Sequence, residues 1–199
     1  MSEELEIEFK NLLSKSEYNE LLNIFNAREK DFFSQENHYF DTADSRLRKL
    51  NSGLRIRLLP QSAELTLKTP LGLHLLETTD QMTLDEAHAY LAGSTIKKDG
   101  MVGRKLTEMN ILIEDLRIIG SLKTVRFETS VPEGLVVLDK STYAGKLDYE
   151  LEFEAQDHHE GLAFFNQFLE KYAIPRRIGK NKIARMKDAM DENERNVKP

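Results

Sequence analysis

The sequence predicts an α+β protein: an eight-stranded antiparallel β-sheet closed into a barrel, with helices packed on the outside. Three observations lead there. Eight segments, mostly short, alternate apolar and polar residues with the two-residue period of a strand. Amphipathic stretches carrying helix-start signals stand between them. On five of the strands the polar positions are dominated by Arg, Lys and Glu, where a solvated face would scatter Ser, Thr, Asn and Gln.

The strands are expected at Leu5–Leu12, Gln35–Asp41, Leu54–Leu59, Ala63–Thr69, Leu73–Thr79, Lys123–Ser130, Leu135–Asp139 and Tyr149–Ala155. Ser14 with Glu17 and Thr83 with Glu86 have the spacing of capping boxes, each followed by apolar residues at helical spacing. A third helix carries Leu162, Phe165, Phe168, Leu169 and Tyr172 and is stopped by Pro175. A further helix is expected within 104–115, and a short one from Ala184 to Met190 closes the fold. With no internal repeat and no linker, residues 1–190 are expected to form one domain. Residues 191–199 are expected to be a polar, flexible tail.

Composition narrows the chemistry. The net charge is −6 with 31% charged residues and no cysteine, which excludes disulfides, thiolate catalysis and Cys-based zinc sites. Cations that bind an anionic ligand must then be concentrated locally. No apolar run approaches the roughly 18–20 residues of a membrane span. The start, Met1-Ser2-Glu3-Glu4, has no signal-like apolar segment, so a cytoplasmic protein is expected.

Alternation sorts the charges onto one face. Residues i and i+2 of a strand point the same way, about 6.6 Å apart. Glu6, Glu8 and Lys10 therefore oppose Leu5, Ile7 and Phe9, and Arg55 and Arg57 oppose Leu54, Ile56 and Leu58. Thr66 and Lys68 oppose Leu65 and Leu67; Thr124, Arg126 and Glu128 oppose Val125 and Phe127; Asp148, Glu150 and Glu152 oppose Tyr149, Leu151 and Phe153. Two arrangements satisfy this pattern. In an open sheet the charged face lies in water with opposite charges paired across strands. In a closed barrel it becomes a wet, cross-paired lumen, and closure also removes the sheet edges. Such a lumen suits a phosphorylated ligand: Arg and Lys donate to phosphoryl oxygens, while carboxylates can hold Mg²⁺ or Mn²⁺.

Several blocks, taken in order, resemble one family. Glu6-Ile7-Glu8-Phe9-Lys10, Tyr39-Phe40-Asp41-Thr42, Leu54-Arg55-Ile56-Arg57 and Leu65-Thr66-Leu67-Lys68 are similar to blocks of the CYTH superfamily, the triphosphate tunnel metalloenzymes. So are Gly120-Ser121-Leu122 with Thr124-Val125-Arg126, Tyr149-Glu150-Leu151-Glu152 and Asn181-Lys182-Ile183-Ala184-Arg185. The resemblance spans Glu6 to about Arg185 and most favours the compact bacterial members. It implies an eight-stranded tunnel in which Lys10, Arg55, Arg57, Lys68, Arg126 and Lys182 hold the triphosphate, joined by Arg185. Glu6, Glu8, Glu150 and Glu152 would hold Mg²⁺ or Mn²⁺, with Asp139 a further candidate and Glu77 and Glu128 as supporting partners. It implies chemistry carried by Glu6, Glu8 and the six cations, and activities that include inorganic, thiamine, nucleoside and RNA 5′-triphosphatases and a class of adenylyl cyclase.

Other features add little. His38, His74, His88, His158 and His159 show no ligand spacing, and the basic run from Arg176 to Arg185 lacks the interleaved aromatics of a nucleic-acid module. No P-loop, G-x-G-x-x-G or nucleophilic triad is present. The reading is a metal-dependent hydrolase of a small triphosphate or nucleotide. Adenylyl cyclase and a non-catalytic polyphosphate- or nucleotide-binding module are its alternatives.

Overall fold

Among the described residues, eight strands close into an antiparallel barrel in the order β1-β5-β4-β3-β2-β6-β7-β8, with six α-helices outside it. They are β1 (Ser2–Leu13), β2 (Phe32–Thr42), β3 (Gly53–Leu58), β4 (Ala63–Leu71), β5 (His74–Met82), β6 (Leu116–Val131), β7 (Gly134–Tyr143) and β8 (Lys146–Ala155). The helices are α1 (Lys15–Ile24), α2 (Arg46–Lys49), α3 (Leu84–Leu91), α4 (Met101–Glu108), α5 (His158–Lys171) and α6 (Lys182–Val197). This computed structural model describes residues 2–93 and 96–197. The closed alternative of the two sequence readings is the one observed. The chain divides into two compact units, Met1–Leu5 with Gln35–Leu122, and Glu6–Ser34 with Lys123–Pro199. Each is described by itself.

In the first unit the apolar faces of β2–β4 (Phe40, Leu54, Ile56, Leu65, Leu67) pack on Leu47, Ala87, Val102 and Leu106 from α2, α3 and α4. The Thr83 hydroxyl accepts the Glu86 amide at 3.2 Å and the Glu86 carboxylate accepts the Thr83 amide at 3.0 Å, closing the expected box. The helix expected within 104–115 is shifted. It begins at Met101, where both Asp80 oxygens accept backbone amides, from Met101 and Val102, at 3.0 Å each. It ends before Asn110, which turns left-handed at φ 56°. A 3₁₀ turn, Ile113–Asp115, follows. The four-residue α2 was not expected. Buried Asp41 caps it, accepting from Leu47 N at 2.9 Å and Arg48 N at 3.2 Å.

In the second unit Ile7, Phe9, Phe127, Val136, Leu138, Leu151 and Phe153 pack on Tyr18 and Leu21 of α1 and on Phe165, Phe168 and Leu169 of α5. Helix α5 starts four residues before Leu162, capped by the Asp157 carboxylate on Glu160 N at 2.9 Å. Gly161 lets it lie against the sheet, since a Cβ there would sit 2.4 Å from the Ala155 Cβ and 2.8 Å from the Phe9 ring. Helix α6 runs well beyond the expected Ala184–Met190. Residues Asp191–Val197 continue it, where an irregular tail was expected. The reason is contact as well as propensity: Asn193 donates to the Ala144 carbonyl at 2.9 Å and Lys146 pairs with Glu192 at 3.0 Å. Lys198 and Pro199 lie outside the described residues.

The α1 cap reaches across the sequence. Glu17 closes the box with Ser14, and Arg177 grips its carboxylate at 2.7 and 2.9 Å. That hydrogen-bonded guanidinium holds the Glu17 carboxyl below its usual range. Glu17→Gln should therefore cost about 1 kcal/mol of stability at neutral pH, the scale of a lost cap and a partly exposed ion pair. A depressed carboxyl contributes stability above its unfolded pKa and loses it as pH falls through the folded value. The two proteins should converge in urea unfolding midpoint once pH drops below the ordinary carboxylate range; a gap that persists there would show that charge is not the cause.

Candidate active site

The inner face of the second unit concentrates buried charge. Antiparallel register sets Arg126 of β6 opposite Asp139 of β7, and Asp139 opposite Glu150 of β8. Strand β1 pairs with β8, so that Lys10 lies opposite Glu152 and Glu8 opposite Glu154. Asp139, Glu150, Glu152 and Arg126 are only 0%, 1%, 7% and 7% exposed. Ions this buried persist only when paired, because each unpaired one costs several kcal/mol.

The pairing is dense. Arg126 donates Nε and Nη2 to the two Asp139 oxygens at 2.7 Å each, Nη2 also to Glu152 at 2.8 Å, and Nη1 to Glu128 at 3.4 Å. Lys182 enters from the first turn of α6. Its ammonium lies 2.8 Å from Asp139 and 2.6 Å from Glu150, and also contacts Glu152. One turn on, Arg185 clamps Glu150 through both Nη atoms at 3.0 and 3.1 Å and gives Nε to Asp148 at 2.9 Å. Tyr143 donates its hydroxyl to the same Asp148 oxygen. Lys10 pairs with Glu8 at 2.8 Å.

Burial opposes charge at Glu152, Lys182, Lys10, Arg126 and Arg185, and pairing overrides it. Burial would raise the Glu152 carboxyl, but Lys182, Arg126 and Lys10 hold it well below the carboxylate range. Burial would discharge Lys182, yet Glu152, Asp139 and Glu150 keep its ammonium protonated far above the usual lysine range. Lys10, Arg126 and Arg185 are raised in the same sense by their carboxylate neighbours. Glu154 goes the other way: burial raises its carboxyl, and Glu152, Glu6 and Glu128 add to the rise.

Local chain geometry brings α6 to this face. Asn11 of β1 donates to the Pro175 carbonyl at 3.0 Å and accepts the Arg177 amide at 2.6 Å, pinning the segment that leads into the helix. Asn181 then caps it, accepting the Ala184 amide at 2.9 Å. Lys182 and Arg185, three apart, project from one side of the first turn.

The first unit holds its own cations. Glu77 bridges Lys68 at 3.1 Å and Arg55 at 3.6 Å, and Arg57 donates Nε to Asn37 at 3.0 Å. Of the candidates named from sequence, Lys10, Arg126, Asp139, Glu150, Glu152, Lys182 and Arg185 thus cluster in the second unit. Glu8 joins through Lys10, and the charge of Glu6 acts on Glu154. Arg55 and Lys68 meet at Glu77 in the first unit, with Arg57 on Asn37. Asp148, placed on the charged face by its parity but given no role there, and Tyr143 hold Arg185, and Asn37 holds Arg57; neither Tyr143 nor Asn37 was expected at the site. Asp148 shares the parity of Glu150 and so carried a signal; Tyr143 and Asn37 carried none.

A divalent ion would meet oxygen donors here, which suits Mg²⁺ and Mn²⁺. Among the described residues no group of three or more His, Asp and Glu stands ready-made for a metal. The central carboxylates are gathered instead around Lys182, Arg126 and Arg185. No helix among those residues is long and apolar enough to cross a membrane.

Known proteins place this architecture. The CYTH domain profile matches residues 4–186. A Bacillus subtilis (strain 168) protein provisionally named triphosphatase YjbK is 43% identical over 185 residues, 93% of this chain and 95% of that protein. A crystal structure from Bacillus halodurans, provisionally assigned as an adenylate cyclase, superposes with TM-score 0.89 at 38% identity, covering 93% of this chain and 98% of that one. The Hippeastrum protein HpAC1, described as a provisional adenylyl cyclase with a dominant triphosphatase activity, shares the fold at TM-score 0.78 and 22% identity, over 92% and 95% of the two chains. A profile match along nearly the whole chain, with a relative 43% identical almost end to end, shows that the chain belongs to the CYTH domain family.

Proposed function

We propose that the protein is a cytoplasmic, divalent-metal-dependent hydrolase of a small triphosphate, inorganic triphosphate first and nucleoside or thiamine triphosphate after it. The observation that carries this reading is the buried set Asp139, Glu150 and Glu152 interleaved with Arg126, Lys182 and Arg185. Such a set holds charges of both signs where a polyanion and its metal both need partners. The 43% identity to YjbK, provisionally named a triphosphatase, supports the same substrate class.

In this reading Lys10, Arg126, Lys182 and Arg185 take phosphoryl oxygens, and the family resemblance assigns Arg55, Arg57 and Lys68 to the same ligand. Glu6, Glu8, Glu150 and Glu152, with Asp139, are the carboxylates available to Mg²⁺ or Mn²⁺. Bound there, the ion would supply charge neutralisation and Lewis acidity. Water attacks the terminal phosphorus, the P–O–P bond breaks, and the cations stabilise the charge on the departing oxygen. The absence of a defensible side-chain nucleophile makes water the attacking group.

A second reading, adenylyl cyclase, is favoured by the assignment of the 38%-identical Bacillus halodurans structure. There the ribose 3′-oxygen attacks the α-phosphorus and pyrophosphate leaves. Product analysis with inorganic triphosphate and ATP, with and without Mg²⁺ or Mn²⁺, separates the readings. Metal-dependent orthophosphate release is expected. Cyclic AMP with pyrophosphate would favour the cyclase, and binding without turnover would overturn both.

Arg57→Ala tests the cationic assignment. Removing one charge-assisted donor costs roughly 1.5–3 kcal/mol, so kcat/KM for a triphosphate should fall at least about tenfold. Replacing exposed Arg195, near the end of α6, serves as the control and should change nothing. Parent-like kinetics in Arg57→Ala would remove that residue from the site.

A further inference from the structure

Lys182 touches three carboxylates at once, Asp139, Glu150 and Glu152, and all three are among those proposed above for the metal. Its ammonium is a compact cation among converging oxygens, 2.6 Å from Glu150 and 2.8 Å from Asp139. Arg185, one turn along the same helix, takes both oxygens of Glu150. We propose that Lys182 and Arg185 act as tethered stand-ins for the divalent cation, so that the metal enters only when the first turn of α6 gives up these carboxylates.

The inference rests on the metal reading and goes beyond it. Asp139, Glu150 and Glu152 cannot give the same oxygens to a metal and to Lys182 without crowding two cations at hydrogen-bond distance, where repulsion in a poorly solvated site is strong. The metal alone must therefore displace an existing ion pair and binds weakly. A triphosphate offers the displaced ammonium and guanidinium new oxygens, so metal and polyanion favour each other's binding. The segment that moves is short. Asn181 caps the helix and Arg185 also donates to the Lys180 carbonyl at 2.6 Å, so the first turn can shift as a unit. The lead-in stays pinned through Asn11 and Arg177.

The test titrates Mn²⁺, with no substrate present, into the parent and into Lys182→Met, which keeps the length of the side chain and removes its charge. Hydrogen exchange of the α6 amides is followed in the parent. Lys182→Met should bind Mn²⁺ at least about tenfold more tightly than the parent, the scale of one charge-assisted contact. In the parent, saturating Mn²⁺ should speed exchange at Ala184–Ala189. Unchanged or weaker Mn²⁺ affinity in Lys182→Met overturns the proposal. So does tighter binding without a change in α6 exchange, because net charge alone would explain it. Arg185→Met is the second variant should Lys182→Met fold poorly; it should tighten Mn²⁺ binding in the same direction, and no change there overturns the proposal. Glu152→Gln keeps the two ideas apart. If it abolishes Mn²⁺ binding while Lys182→Met leaves affinity unchanged, only the stand-in role fails. If it binds Mn²⁺ like the parent, the metal reading fails with it.

Discussion

Glu152→Gln is expected to lower kcat/KM for a triphosphate by at least about a hundredfold, on the order of 2.7 kcal/mol of transition-state stabilisation. Glutamine keeps the shape and one acceptor oxygen but removes the charge. In this protein that charge is met by Arg126 at 2.8 Å, by Lys182, and by the field of Lys10. Three cations proposed to hold phosphate would lose their shared anchor, and a metal would lose a ligand. Urea unfolding run alongside separates chemistry from folding. Parent-like kcat/KM and metal dependence in a folded variant would make Glu152 a structural carboxylate.

Arg126→Met should be the most destabilising single change at this site, costing roughly 3–5 kcal/mol. It strips the fully buried Asp139 of two hydrogen bonds at 2.7 Å, leaving its charge to Lys182. The cost lies in a buried carboxylate left with too few partners, so it can be returned. Adding Asp139→Leu removes that under-paired charge, and the double variant should recover part of the loss in denaturant unfolding. A double variant as unstable as Arg126→Met alone would show that shape, not charge, sets the penalty. Arg57, whose Nε donates to the neutral Asn37 carboxamide at 3.0 Å, makes the useful contrast: its loss should appear in turnover with little change in stability.

What could be read in advance follows from range. The capping boxes at Ser14 and Thr83 involve atoms three residues apart, and both formed as their spacing implied. Strand faces were equally legible, since parity alone places Arg126 with Thr124 and Glu150 with Glu152. Helix α2 escaped because four residues have no period, and its cap comes from Asp41, six residues before Leu47. The far end of α6 escaped for a related reason. Asp191–Val197 is too polar to announce a buried face, and it docks through Asn193 and Glu192 on the β7–β8 turn and its flank.

The strands, the face each charge occupies and, through ordered blocks, the family are legible along the chain. Those properties are local or repeat along the chain. Which charge answers which is set by the folded arrangement. Lys182 meets Asp139, Glu150 and Glu152 because Asn11 pins the lead-in to α6 against β1, and Lys10 meets Glu152 through the register of β1 on β8. Parity places a charge on a face but says nothing about its partner there. That choice is made by strand register and by one helix terminus, where desolvation makes every unpaired charge too costly to keep.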